Sequence, residues 1–167
     1  MLNEEKKKLL QRMTSRISSG LLFVELNYLE NNPTPDVAWI RNIYILLSFY
    51  TELLLKALYA YKKDYSSISE LDDTFRKQGH NLEKIAQELG VEVLDYYGIK
   101  SIQKNTEGEY LIETDLGGFF VADFIDIRYD FMDERVRILN GNEHEMFRKQ
   151  IKFLHRINGF LTGPAWS

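Results

Sequence analysis

Arginine and histidine recur as pairs near the C-terminal end of this chain. Arg137 and His144 are separated by six residues in RILNGNEH, and Arg148 and His155 by six in RKQIKFLH. The two residue types meet the needs of metal-free RNA cleavage: a histidine exchanges the 2′-hydroxyl proton, and a guanidinium steadies the charge building on the phosphate. The second pair belongs to a basic set, Arg148, Lys149, Lys152, His155 and Arg156. Within it Arg148, Lys152 and His155 are spaced i, i+4, i+7 and share one stripe of a helix. A stripe of this kind suits a phosphate backbone, with Lys149, Lys152 and Arg156 holding substrate. It is also what an ordinary solvent-facing side looks like.

Four aspartates, Asp123, Asp126, Asp130 and Asp133, follow at spacings of three, four and three. On a helix they share a face that reads either as solvated or as carboxylate ligands for Mg²⁺ or Mn²⁺, with Arg128 and Arg135 close enough in sequence to pair with them. The three histidines His80, His144 and His155 have no ligand spacing, so no metal centre is expected. His80 starts a helix, where it can cap or bond a neighbouring carboxylate. Gly117-Gly118 lacks the further glycine and lysine of a phosphate loop, and no serine or cysteine nucleophile motif is present. No cofactor is expected.

Composition narrows the class further. The 167 residues are 44% apolar and 28% charged, enough for one domain with a real core. A net charge of −4 gives no global pull toward nucleic acid or anionic membrane, so such binding needs a local patch. The absence of cysteine excludes disulfides and thiolate chemistry. The N-terminal MLNEEKKKLL lacks the apolar core of a secretory signal.

The elements that must position these residues are mostly helical. TPDVAWIRNIYILLSFYTELLLKALYAY, Thr34 to Tyr61, reads as one central helix, capped by Thr34 with Pro35 and Asp36 in its first turn. Arg41, Ser48, Glu52 and Lys56 fall along one line of it. Its span from Asn42 is long enough to cross a bilayer, yet Glu52 and Lys56 are costly in lipid. It is therefore expected to be the buried helix of a cytoplasmic protein with no membrane association. Before it, Leu9, Met13, Ile17, Leu21, Val24 and Tyr28 mark an amphipathic helix from Leu2 to Asn31, ended by Asn31-Asn32-Pro33. After it, Tyr65 to Asp73 reads as a connection with at most a turn of helix. GHNLEKIAQELG then gives a short helix closed by Gly90. Ile99 to Thr114 reads as a β-hairpin insertion. Beyond Gly117-Gly118 the helical period returns through Val121, Phe124, Ile125, Met132 and Leu139, with a strand at the start left open. Glu143 to Leu161 is a final amphipathic helix with Phe147, Ile151, Leu154 and Leu161 inward.

TELLLKALYAY, GHNLEKIAQEL and FIDIRYDF, in that order, resemble the HEPN superfamily of small helical-bundle proteins. The resemblance covers roughly a third of the chain and rests on Glu52, Lys56, His80, Arg128 and Tyr129. It implies a mainly α, up-and-down bundle of four to five helices, here with the hairpin at 99–114 inserted into one domain over 1–167. It also implies a homodimer working in toxin–antitoxin, antiphage or RNA-processing systems, with RNA as substrate and a cognate antitoxin or other partner protein. Active members are metal-independent endoribonucleases with an Arg-x(4–6)-His motif. Carried over, the motif falls on Arg137 and His144, with Arg148 and His155 as the second choice. Active members carry a polar residue after the arginine, where this chain has Ile138 or Lys149. The alternative is a non-catalytic HEPN-like module that binds a partner protein or a nucleotide.

Overall fold

In the computed structural model the described residues are 3–30, 37–124 and 143–162. Helix α1, Glu4–Val24, begins where the Asn3 side chain accepts from the Lys6 amide at 2.7 Å, with Glu4 and Glu5 complementing the dipole. Leu10, Ile17, Leu21 and Val24 form its buried stripe. The helix does not run unchanged to Asn31. After Val24 it widens into a π-helical stretch, Glu25–Glu30. Asn31, Asn32 and Pro33, and the cap at Thr34, Pro35 and Asp36, lie outside the described residues.

Helix α2, Val37–Lys62, is the central element expected from its sequence. By length and composition Ala38–Lys62 would qualify to cross a membrane, but most of it is buried against the rest of the chain, as in the core helix of a soluble protein. Of its line of polar residues, Ser48, Glu52 and Lys56 bond to other parts of the chain or to each other. The Ser48 hydroxyl accepts from the Ala122 amide at 2.9 Å, and Glu52 pairs with Lys56 at 2.8 Å.

The Ser- and Asp-rich stretch expected to be a connection forms helix α3, Ile68–Gln78. Its start is a capping signal: the Ser67 hydroxyl accepts from the Glu70 amide at 3.2 Å, and the Glu70 carboxylate accepts from the Ser66 amide at 2.7 Å. Two short helices follow, α4 at Leu82–Leu89 and α5 at Val91–Tyr96, with Gly90 at φ +92° between them. The first and its glycine match expectation; the second was hidden by its length.

The hairpin is one strand short of the observed sheet. Strands β1 (Ile99–Lys104), β2 (Glu109–Thr114) and β3 (Gly117–Ala122) make an antiparallel sheet in the order β1-β2-β3. Gly117-Gly118 therefore opens a strand rather than returning the chain to helix. Gly117, at φ +115°, closes a two-residue link from Thr114, and Val121 is buried in β3. A third strand gives the sheet the independent support a lone hairpin lacks. The last helix, α6, spans Glu143–Thr162. Phe147, Ile151, Leu154 and Leu161 all point inward as their spacing requires.

Helices α1, α2 and α6 pack on one another, and β3 lies against both α2 and α6. Phe119 of β3 meets Phe153 of α6 with ring centroids 5.7 Å apart. Buried polar links fix the helix registers. Gln150 donates to the Thr51 hydroxyl at 3.0 Å, and Asn158 donates to the Thr14 carbonyl at 3.1 Å and the Ser18 hydroxyl at 2.8 Å. The protein is thus mainly helical with a small antiparallel sheet.

Candidate functional site

The stripe Arg148, Lys152 and His155 on α6 does not face open solvent alone. It forms one wall of a groove of about 290 Å³, whose other wall is the π-helical stretch with Glu25, Leu29 and Glu30; Ile151 lies between. A π-helical turn displaces side chains from the α-helical rotation and leaves its backbone groups less regularly paired, and such turns recur at functional sites. Here the Leu29 carbonyl, in the last turn of that stretch, accepts from Arg148 Nη2 at 3.4 Å. His155 Nε2 lies 3.3 Å from Glu25 Oε1, so the imidazole is oriented by a carboxylate. The groove gathers two fixed cations, two carboxylates and one histidine. That set can neutralise a phosphate through Arg148 and Lys152 and exchange a proton through His155 and Glu25.

The rest of the basic set goes elsewhere. Lys149 pairs with Glu145 at 3.1 Å on the surface. Arg156 turns away to Asp115, with contacts of 2.6 and 2.9 Å, and donates to the Tyr97 carbonyl at 3.2 Å. The Arg156 guanidinium, through its hydrogen bonds, holds the Asp115 carboxyl below the usual carboxylate range. Lys149 and Arg156 therefore do not join Lys152 in the groove.

Of the first arginine–histidine pair, Arg137 lies outside the described residues, as do Arg128 and Tyr129. His144 is in the first turn of α6, and its Nε2 is buried with no hydrogen-bond partner among the described residues. Glu52, Lys56 and His80 come together as a clamp. His80 Nδ1 lies 2.9 and 3.0 Å from the two Glu52 oxygens, while Lys56 Nζ donates to Glu52 Oε1 and to the Gly79 carbonyl, each at 2.8 Å. The clamp ties the turn between α3 and α4 to α2, and the His80 ring packs on Phe124 at 5.5 Å.

Asp123, first of the four aspartates, is buried and paired with Lys104 at 2.6 Å. Asp126, Asp130 and Asp133 lie outside the described residues. Among the described residues no group of three or more His, Asp or Glu side chains could hold a metal ion. Glu25, Leu29 and Glu30 carry no signal in the sequence, because an α-helical count through that stretch misplaces them. Comparison with protein-family models, curated proteins and solved structures gives no match.

Proposed function

We propose that this chain is a HEPN-like, metal-independent endoribonuclease of a toxin–antitoxin or antiphage system, acting in the cytoplasm as a homodimer of up-and-down helical bundles. The observation that carries the reading is the convergence of Arg148, Lys152 and His155 on one groove, with Glu25 against the histidine. In this reading Arg148 and Lys152 hold the phosphodiester. The 2′-oxygen attacks phosphorus and gives its proton to the carboxylate–imidazole pair. The bond to the 5′-oxygen breaks, and that oxygen takes a proton from the imidazolium just formed, so no proton is gained or lost overall. The products are a 2′,3′-cyclic phosphate and a 5′-hydroxyl, and no metal takes part. The sequence favours Arg137 and His144 for these roles; the shielding of His144 Nε2 supports the second pair instead.

The test is cleavage of end-labelled RNA by the purified protein in excess EDTA. The expected result is cyclic-phosphate ends, with activity lost in Arg148→Ala/His155→Ala and kept in Arg137→Ala/His144→Ala. The reverse pattern moves the chemistry to the first pair. No cleavage at any concentration overturns the enzyme and leaves a non-catalytic module, a reading favoured by the internal contacts that already occupy Arg148 and His155.

A further inference from the structure

Away from the groove, one lysine sits among aromatic rings and pairs with no anion among the described residues. Lys62 is the last residue of α2. Its Nζ lies 5.3 Å from the ring centroid of Tyr61 and 5.4 Å from those of Tyr96 and Tyr97. It makes no ion pair or hydrogen bond among the described residues, so its specific neighbours there are the three ring faces. Three π-faces at nearly equal distance from one point sum their negative quadrupoles there, and the favoured occupant is a weakly hydrated cation.

The rings are held independently of the lysine. Tyr97 is 5% exposed, its carbonyl is bonded by Arg156, and its ring meets Phe160 at 5.9 Å and Tyr96 at 5.0 Å, both edge-on. Tyr96, at 73% exposed, forms an open outer wall. Tyr61 comes from α2 itself, one position before the lysine. The Tyr96–Tyr97 pair ends at Gly98, whose φ of +79° turns the chain into β1.

We propose that Tyr61, Tyr96 and Tyr97 form a binding site for a quaternary ammonium group, which Lys62 occupies in the free protein as a displaceable plug. A primary ammonium is strongly hydrated and gains little at an exposed cage, whereas a trimethylated nitrogen sheds water readily and fills the space between three rings. Lys62 leaves at small cost, because no carboxylate among the described residues holds it and its stem reaches water from the helix end.

The probe is choline, titrated into the full-length protein and followed by tyrosine ring signals in NMR. Its neutral isostere 3,3-dimethyl-1-butanol is the control, and phosphatidylcholine vesicles form a separate arm. The expected result is saturable choline binding at least tenfold tighter than the isostere. Lys62→Ala should tighten it about threefold, because the ligand no longer has to displace a weakly held, exposed ammonium from the rings. Tyr96→Ala should weaken it at least tenfold with the far-UV circular dichroism unchanged, since that ring is largely exposed. Binding to vesicles at the same cage would assign the group to a lipid headgroup; binding to choline alone would assign it to a free small molecule. Equal response to choline and the isostere, or no saturable response in both the native protein and Lys62→Ala, overturns the proposal.

Discussion

His80 Nδ1 sits between both carboxylate oxygens of Glu52, at 2.9 and 3.0 Å, across 28 positions of chain. A carboxylate only accepts, so the imidazole proton is on Nδ1 and the ring orientation is fixed. The Glu52 side chain is 9% exposed and the His80 side chain 48%, so the buried partner is the one that cannot be removed cheaply.

Replacing Glu52 by alanine leaves the Lys56 ammonium partly buried without its anion. The expected loss is about 3 kcal/mol of unfolding free energy, the usual size for breaking a buried pair from one side. Urea unfolding followed by circular dichroism measures it; a loss under about 1 kcal/mol would mean the pair behaves as a surface contact.

Ser48→Ala removes the acceptor of the buried Ala122 amide, which holds the end of β3 on α2. An orphaned buried donor costs about 1–3 kcal/mol, and the exchange of that amide with deuterium should accelerate by a matching factor. Unchanged protection at Ala122 would show that another acceptor takes over.

Tyr97 sets an alkaline limit. Burial, helped by the nearby hydroxyls of Tyr61 and Tyr96, pushes its phenol up to about 12. A folded value above the unfolded one of about 10 means the stabilisation is complete below pH 10 and disappears as pH rises toward 12. Ultraviolet titration at alkaline pH should show a late tyrosine, and Tyr97→Phe should abolish that phase.

Asp115 sets a small acid limit of opposite sign. Its folded carboxyl lies below the unfolded value because Arg156 bonds it, so its contribution is present above about pH 4 and is lost as pH falls through the folded value. The carboxylate is half in water, and solvent screening keeps the effect modest. Asp115→Asn should flatten the decline of the urea midpoint between pH 5 and 2. An unaltered slope would assign that decline to other carboxylates.

The long helices were legible because periodicity and burial agree over many turns, as with Ile17 and Leu21 in α1 or Ile151 and Leu154 in α6. The misses have local causes. Helix α3 buries little more than Leu71 and Gln78, so its apolar pattern is faint and only the Ser67–Glu70 cap betrays it. Strand β3 opens with two glycines, which mimic a break, although Phe119 and Val121 alternate inward behind them. At the groove, Arg148, Lys152 and His155 line one wall, as side chains spaced i, i+4, i+7 on a helix do. Its opposite wall was invisible, because a π-helical turn has no sequence mark that an α-helical count can read.

The contact of Asn158 with Thr14 and Ser18 spans some 140 residues of chain, joining α1 to α6. Chains leave the ribosome from the N-terminus at about 5–20 residues per second, so α1 waits many seconds for its partner. Until Leu161 has emerged, the flank of α1 that α6 will cover stays open to water or to a chaperone. The pairing of α1 with α2, the clamp on α2 and the sheet against α2 are all available before then. The core is therefore completed after the last helix is made, and translation that stops short of α6 releases a chain whose α1, α2 and β3 still expose the apolar faces that α6 covers.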